Sequence, residues 1–134
     1  MDWNTLPLGE ALRQTAKRFP DRAAIVGMGR RMTFTQLDRE ADEIALGLRS
    51  LGVGRGDQVA LWMTNCPDWV VCWIACARLG AVLVPINTRY KADEVEYILR
   101  QSDARVLIAM DTFWGIDFAA MVRGLVPELA SATP

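Results

Sequence analysis

Three strand-length apolar runs, each preceded by a segment with a helical pattern, constrain the fold of this chain more than any other feature. The runs lie at 58–63, 81–86 and 105–109. The run 81–86 shows no alternation of polar and apolar residues, which is typical of a strand covered on both faces. Strands that alternate with helices pair in parallel through crossover connections. The sequence therefore predicts an α/β fold of alternating helix-strand units around a mainly parallel sheet.

Helical periodicity is clearest in the segment that begins at Thr35, which is predicted to cap a helix with its hydroxyl. Gly52 supplies the left-handed residue that ends this helix. One apolar stripe with a 3.6-residue period contains Leu37, Ala41, Ile44, Ala45, Leu48 and Leu51. Further helices are predicted from Leu8 to a stop at Pro20, over 67–79 and from Asp93, and a last helix carries Phe118, Met121, Val122 and Leu125. A short hairpin is predicted around Gly27, Met28 and Gly29.

The stretch 69–86 raises the question of a membrane span, because Arg78 is its only charged residue. A spanning helix needs about 20 apolar residues, and a charge near its centre costs about 3 kcal/mol or more. Gly80 and Pro85 also interrupt the stretch. The pattern instead predicts a buried helix, a glycine turn and a strand, so no transmembrane segment is expected.

Composition excludes several classes of function. The chain has no histidine, which removes histidine-based metal sites, histidine general bases and Ser-His-Asp triads. Fifteen Lys and Arg against sixteen Asp and Glu leave a net charge of −1, so no basic excess indicates binding to nucleic acid.

Three cysteines, Cys66, Cys72 and Cys76, form neither a disulfide framework nor a zinc-ribbon pattern. Cys72 and Cys76 would share a helix face, but small buried side chains are a better account of them than a two-thiolate metal site. The first residues show no signal-peptide pattern. A reducing compartment, the cytoplasm, is therefore expected.

Glycine spacing and paired carboxylates offer no catalytic site. Gly52, Gly54 and Gly56 follow a predicted helix and precede a strand, the reverse of the order in a phosphate-binding loop. They are interpreted as a helix-to-strand turn. Asp93 and Glu94 are interpreted as the solvated start of a helix. No catalytic and no metal-ligating residue is assigned within the 134 residues.

One polar segment, 87–91, directly follows the apolar run 81–86 and is the candidate binding element. Ligands of open parallel sheets bind beyond the carboxyl ends of the strands. Arg89 lies there, and a guanidinium can hold a phosphate through two parallel hydrogen bonds. A solvated turn is the alternative interpretation of Arg89.

Five segments in order resemble the AMP-forming acyl-CoA synthetases, the adenylate-forming enzymes. An early Thr-aromatic-x-x-Leu segment and an "LGV-x-x-GD-x-VA" turn come first, followed by an "N-x-P-E-aromatic" helix start and a "GAV-x-VP-hydrophobic-N" segment. In this chain they occupy 32–37, 51–60, 65–69 and 77–87, and 97–107 closes the series. The resemblance covers nearly the whole chain and is nearest to the ligases of fatty and related carboxylic acids.

The resemblance implies a parent enzyme that uses ATP, Mg²⁺ and CoA to convert a carboxylic acid to acyl-CoA, AMP and pyrophosphate. It also implies that Arg89, two residues after the Asn of the "P-hydrophobic-N" segment, contacts a CoA phosphate. The family's Ser/Thr-Gly-rich phosphate loop and catalytic lysine have no counterpart here.

Residues 1–134 are therefore interpreted as one incomplete N-terminal piece of the large domain, with a disordered tail over 130–134. This piece is expected to be inactive alone and to bind no cofactor by itself. A stand-alone binding or dimerisation module is the alternative. Its unpaired strands are expected to drive homodimerisation or other self-association.

Overall fold

The computed structural model describes residues 5–131 and contains one parallel sheet, two hairpins and five α-helices within that range. The helices are α1 Leu8–Arg18, α2 Phe34–Ser50, α3 Pro67–Leu79, α4 Ala92–Gln101 and α5 Phe118–Leu125, and a 3₁₀ helix follows at Pro127–Ala130. The strands are β1 Ala23–Gly27, β2 Arg30–Thr33, β3 Gln58–Trp62, β4 Val82–Pro85, β5 Val106–Ala109, β6 Thr112–Phe113 and β7 Ile116–Asp117.

The parallel sheet has the order β4-β3-β5, which confirms the predicted α/β class. Helix α3 connects β3 to β4, and α4 connects β4 to β5. Gln58 of β3 pairs with Val82 of β4, and Trp62 of β3 pairs with Ala109 of β5. This register brings the carboxyl ends of all three strands to one edge of the sheet.

Burial differs sharply among the three strands. The central strand β3 is almost entirely buried, and Val59, Ala60, Leu61 and Trp62 are each 0% exposed. The prediction that 81–86 is covered on both faces is wrong for β4, because Val82 is 49% exposed and only Leu83 and Val84 are half-buried. Strand β5 is also only half-buried. Both lie at the edges of the sheet, where one neighbouring strand is lacking among the described residues.

Helix α2 buries Leu37, Ala41, Ala45 and Leu48 of the predicted stripe, whereas Ile44 and Leu51 are exposed, and its N-cap also differs from the prediction. Thr33 is the N-cap, its hydroxyl accepts from the Gln36 backbone N–H, and the Gln36 side chain accepts from the Thr33 N–H. Thr35 lies inside the first turn and donates to the Pro20 carbonyl at 3.1 Å. The reciprocal bonds at Thr33 satisfy two backbone donors.

The C-terminal end of α2 agrees with prediction. Gly52 has φ of +84°, and the Val53 N–H donates to the Leu48 carbonyl at 3.0 Å, which is a Schellman ending. The glycines that follow form the predicted helix-to-strand turn before β3, where the Gly56 N–H donates to the Gly80 carbonyl at 2.9 Å.

Helix α3 is packed on more than one side, as its apolar composition predicts. It contacts α1 and α2 on one side and the sheet on another, with Val71, Cys72, Ile74, Ala75 and Cys76 buried. Arg78, in its last turn, pairs with Asp38 and Asp42 of α2. None of the helices in residues 5–131 has the length and apolar content that crossing a membrane requires.

The β6–β7 hairpin was not predicted from the sequence, because its strands have only two residues each. The predicted hairpin β1–β2 and the last helices were correctly located. Of the predicted tail, residues 132–134 lie outside the described residues, so its disorder stays a prediction.

Candidate functional site

Two neighbouring cavities lie at the carboxyl edge of the parallel sheet and share Thr64 and Thr88 as walls. The first, of about 410 Å³, is lined by the segment after β3, the segment after β4 and Trp69. The second, the Arg89 cavity, measures about 310 Å³ and is lined by Thr64, Thr88, Arg89, Phe113, Trp114 and Ile116. The structure thus places Arg89 where the sequence predicted a binding element.

The loop that carries Arg89 is fixed to the core by its backbone. The Ile86 N–H donates to the Leu61 carbonyl at 2.9 Å, and the Trp62 indole Nε1 donates to the Asn87 carbonyl at 3.1 Å. The Asn87 side-chain oxygen then accepts from the Arg89 N–H at 2.9 Å. Trp62 is wholly buried, so the loop is positioned from inside the protein.

The Arg89 side chain itself is exposed. Within residues 5–131 no carboxylate forms an ion pair with its guanidinium, whereas Arg13, Arg30 and Arg78 all pair with acids. A guanidinium on a fixed backbone with no internal acid is suited to an anionic ligand, for which it provides paired donors. The phosphate-binding interpretation of Arg89 and its alternative, a solvated turn, both stay predictions.

The opposite wall of the Arg89 cavity is the β6–β7 hairpin, which sequence reasoning missed. The Phe113 and Trp114 rings stack with centroids 5.0 Å apart and an interplanar angle of 13°. Trp114 is 86% exposed, more than any other large hydrophobic residue described. The one sequence signal for this wall is the Trp114-Gly115 pair between two short apolar segments, a weak turn signature.

The hairpin is held by the same core as the Arg89 loop. The Phe118 N–H donates to the Asp111 carbonyl at 3.0 Å across the base of the hairpin. The Phe118 ring packs edge-on against Trp62, with centroids 4.9 Å apart. Trp62 and Phe118 are both 0% exposed. One buried aromatic pair therefore positions both walls of the cavity.

The other chemically notable groups form no catalytic or metal site among the described residues. Cys72 and Cys76 are buried, and burial raises the pKa of the Cys72 thiol to about 12 and that of Cys76 to about 11, so both are neutral near pH 7. The described residues contain no cluster of three or more potential metal ligands. A cavity of about 360 Å³ beside α1 is lined by Arg13, Asp42 and Arg78, which pair with one another.

The described residues also do not fit ATP with Mg²⁺. The Gly52–Gly56 turn precedes a strand and not a helix, so it presents no row of helix-start amides to a phosphate chain. The Arg89 cavity offers a guanidinium, hydroxyls and an aromatic wall. That combination can hold an anionic group beside a flat ring, and it has no side chain suited to general acid-base or nucleophilic chemistry at neutral pH.

Comparison with known proteins identifies the family of this chain. Residues 12–133 match the family described as AMP-binding enzyme. YngI of Bacillus subtilis, which carries an acyl-CoA synthetase name, is 44% identical over 129 residues, or 95% of this chain and 24% of YngI. The human mitochondrial medium-chain acyl-CoA ligase ACSF2 is 35% identical over 98% of this chain and 22% of its own length.

Two solved structures extend the match to the fold. The N-terminal domain of FACL13 from Mycobacterium tuberculosis has 36% identity and a TM-score of 0.81, over 97% of this chain and 32% of that domain. The anthranilate CoA ligase AuaEII, solved with anthranoyl-AMP, has 32% identity and a TM-score of 0.82, over 96% of this chain and 25% of its own.

This chain spans about a quarter of the length of the curated relatives it matches. The family match, the similar proteins and the similar structures all correspond to the same region of acyl-CoA ligases. The chain belongs to the AMP-binding enzyme family, and it corresponds to an N-terminal fragment of the family's acyl-CoA ligases.

Proposed function

We propose that this chain is the N-terminal part of an ATP-dependent ligase that joins a fatty or other carboxylic acid to CoA. In the first step, a carboxylate oxygen attacks the α-phosphorus of ATP and pyrophosphate leaves, which yields an acyl-adenylate. In the second step, the CoA thiol attacks the acyl carbon and AMP leaves. The names of YngI, ACSF2 and AuaEII, an acyl-CoA synthetase and two CoA ligases, support this reaction class.

Residues 5–131 contribute to the second step and not to the first. They contain no fitting site for ATP and Mg²⁺, so adenylate formation is assigned to the rest of the parent enzyme. Arg89 would hold a phosphate of CoA, because it is the exposed, acid-free guanidinium at the carboxyl end of β4. The preorganised Asn87–Arg89 loop is the observation that carries this assignment.

The test is the Arg89→Gln variant of the intact ligase that contains this chain. A charged hydrogen bond is worth about 1.5–3 kcal/mol, so the KM for CoA should rise about tenfold or more. Acyl-adenylate formation, measured by ATP–pyrophosphate exchange, should be unchanged. Arg100→Gln is the matched control, because Arg100 is an exposed arginine that pairs with Glu96 on the outer face of α4.

An unchanged KM for CoA in Arg89→Gln would overturn the assignment of Arg89. A separate test, on the 134-residue chain alone, addresses the assignment of adenylate formation to the rest of the parent enzyme. It should show no ATP–pyrophosphate exchange, and measurable exchange would contradict the proposal. A coding sequence that stops directly after Pro134 would overturn the proposal of a longer parent ligase.

A second candidate function is a stand-alone binding or dimerisation module, and the open sheet edges favour it. Strands β4 and β5 each lack an outer partner among residues 5–131. An apolar groove of about 430 Å³ runs between α2 and β5, lined in part by Ile44, Leu51 and Ile108. Unpaired edges and exposed apolar surface promote association. Light scattering of the isolated chain should show a dimer or larger species, and a strictly monomeric mass at high concentration would contradict this prediction.

A further inference from the structure

The cavity beside α1, of about 360 Å³, lies where the start of α1 meets the C-terminal parts of α2 and α3. We call it the three-helix cavity. Helix α3 ends directly before β4, so this cavity is near the opposite end of β4 from the Arg89 cavity. Its wall contains three guanidinium groups and two carboxylates, those of Arg13, Arg49, Arg78, Glu10 and Asp42. One positive charge is therefore in excess, which is suited to a ligand with a single negative charge.

Arg78 is the buried part of this wall. Its side chain is 8% exposed, and its terminal nitrogens donate to Asp38 and Asp42 of α2. Its Nε is also buried and has no hydrogen-bond partner among residues 5–131. A Cβ at Gly9 would lie 2.6 Å from the Arg78 Cγ, so the close approach of α1 holds this side chain in place. A buried guanidinium N–H without an acceptor is unfavourable, and an anion in the cavity would reduce that cost.

Two further features of the wall favour an anion. Arg49 is exposed, and no acid within the described part of the chain forms an ion pair with it, whereas Arg13 pairs with Asp42 at 2.7 Å. The cavity also meets the first turn of α1 through Pro7 and Gly9, and Pro7, the N-cap, provides no side-chain acceptor for that turn. The N-terminal end of a helix carries a partial positive charge that stabilises anions.

The rest of the wall is mainly apolar and indicates the class of anion. It includes Ala45, Leu46, Ala77 and Leu79. Leu46 is 57% exposed. Inorganic phosphate would leave these side chains uncovered, and above pH 7 it carries more charge than the wall balances. A carboxylate with an aliphatic tail has one charge for the guanidinium groups and apolar surface for the alanines and leucines.

We propose that the three-helix cavity binds a carboxylate with a short aliphatic tail, at a site separate from the reaction. Arg49 holds the carboxylate together with Arg13 and Arg78, and the tail lies along Leu46. A bound acid would join α1 to α2 and α3. The proposal does not depend on the proposed function, because the ligand is recognised by its charge and its apolar surface and is not converted. In a ligase of carboxylic acids, one class of molecule would serve both as substrate and as the ligand of this second site.

The experiment measures binding of radiolabelled octanoate to the intact ligase by equilibrium dialysis. The catalytic site is first saturated with octanoyl-sulfamoyladenosine, a stable analogue of the acyl-adenylate. One further octanoate should bind per chain, and Arg49→Gln should raise its Kd about tenfold, because a charged hydrogen bond is lost. Arg39→Gln is the matched control, because Arg39 is an exposed arginine of the same helix that pairs with Glu43 and is absent from the cavity wall.

Two more measurements separate the charge from the apolar wall. Leu46→Ser should raise the Kd for octanoate about threefold, because apolar surface is no longer covered. Octylamine has the same tail and the opposite charge, so it should not displace octanoate. Displacement by octylamine would overturn the role of the guanidinium groups, and displacement by an equal concentration of phosphate would overturn the choice of a carboxylate.

The central result is the effect of Arg49. If no octanoate binds beside the analogue, or if Arg49→Gln leaves its Kd unchanged, the proposal is overturned and the arginines of this cavity are structural ion pairs only. A ligase that forms no acyl-adenylate would instead overturn the proposed function. The three-helix site would still stand in that case, provided that octanoate binding depends on Arg49.

Discussion

The two hairpins of this chain have the same turn and different surroundings. Met28-Gly29 and Trp114-Gly115 each place a large apolar residue and a glycine at positive φ. The cavity beside Met28 is formed by apolar residues with Asn65 and Cys66, whereas the cavity beside Trp114 includes Arg89 and two threonines. The comparison shows that local backbone geometry does not define a site. A site is defined by the side chains that the fold places next to the turn.

The hairpins also differ in how they are anchored. The β1–β2 hairpin is held by Met32, which is 2% exposed, and by Arg30, which pairs with Glu40 and Asp68 at 2.6 Å each. The hydrogen bond with Glu40 raises the pKa of Arg30 above its ordinary value. The β6–β7 hairpin has no such ion pairs among the described residues and depends on Phe118 against Trp62. The β1–β2 hairpin is thus anchored largely by ion pairs at the surface, whereas the β6–β7 hairpin is anchored entirely by the core.

Truncating the two buried anchors is expected to have the largest effect. Phe118→Ala should lower the free energy of unfolding by about 3–5 kcal/mol, and Met32→Ala by about 2–5 kcal/mol, because each leaves a cavity in the core. Urea denaturation of the isolated chain measures both. In the intact ligase, the milder Phe118→Leu should raise the KM for CoA and Met32→Leu should not. Equal effects of the two leucine variants on CoA would remove the distinction between the hairpins.

Relieving the strained turns should have a smaller and opposite effect. An L-residue in the left-handed region costs about 1–2 kcal/mol, and asparagine tolerates that region. Met28→Asn should therefore raise the free energy of unfolding by about 1 kcal/mol. Trp114→Asn should gain less, because it loses the ring contact with Phe113. Met28→Ala, which keeps the unfavourable φ, is the control in urea denaturation. A loss of stability in Met28→Asn would contradict this account of the turns.

The smallest expected effect concerns a thiol beside the β1–β2 hairpin. Cys66 is half-buried and lines the cavity next to Met28. The raised pKa values of Cys72 and Cys76 keep both thiols neutral at pH 8, since the thiolate forms only as pH approaches about 11 to 12. Iodoacetamide at pH 8 should therefore label Cys66 and spare the other two in the native chain. In the intact ligase, CoA should not change the labelling rate of Cys66, measured by mass spectrometry. Protection of Cys66 by CoA would place the ligand at the β1–β2 hairpin and contradict the assignment of Arg89. Cys66→Ala supplies the unlabelled control.

Much of the candidate site, but not all of it, could be predicted from the sequence. The location of Arg89 beyond the end of β4 follows from the order of an apolar run and a polar segment. The Trp114 wall does not, because two-residue strands have no periodicity to detect. Trp114 and Arg89 are distant in the sequence, with all of α4 and β5 between them. They meet because β4 and β5 both flank β3 and because Trp62 and Phe118 pack together.

By itself, the sequence determined the order and type of the main elements. Helical stripes, the glycine at the end of α2 and the proline at the start of α3 act through contacts within a few residues, so they can be interpreted locally. Only the tertiary structure decided which apolar run would be buried. The runs at β3 and β4 look alike, yet Leu61 is 0% exposed and Val82 is 49% exposed. Burial of a strand depends on having neighbours on both sides, and sheet order is a property of the whole fold.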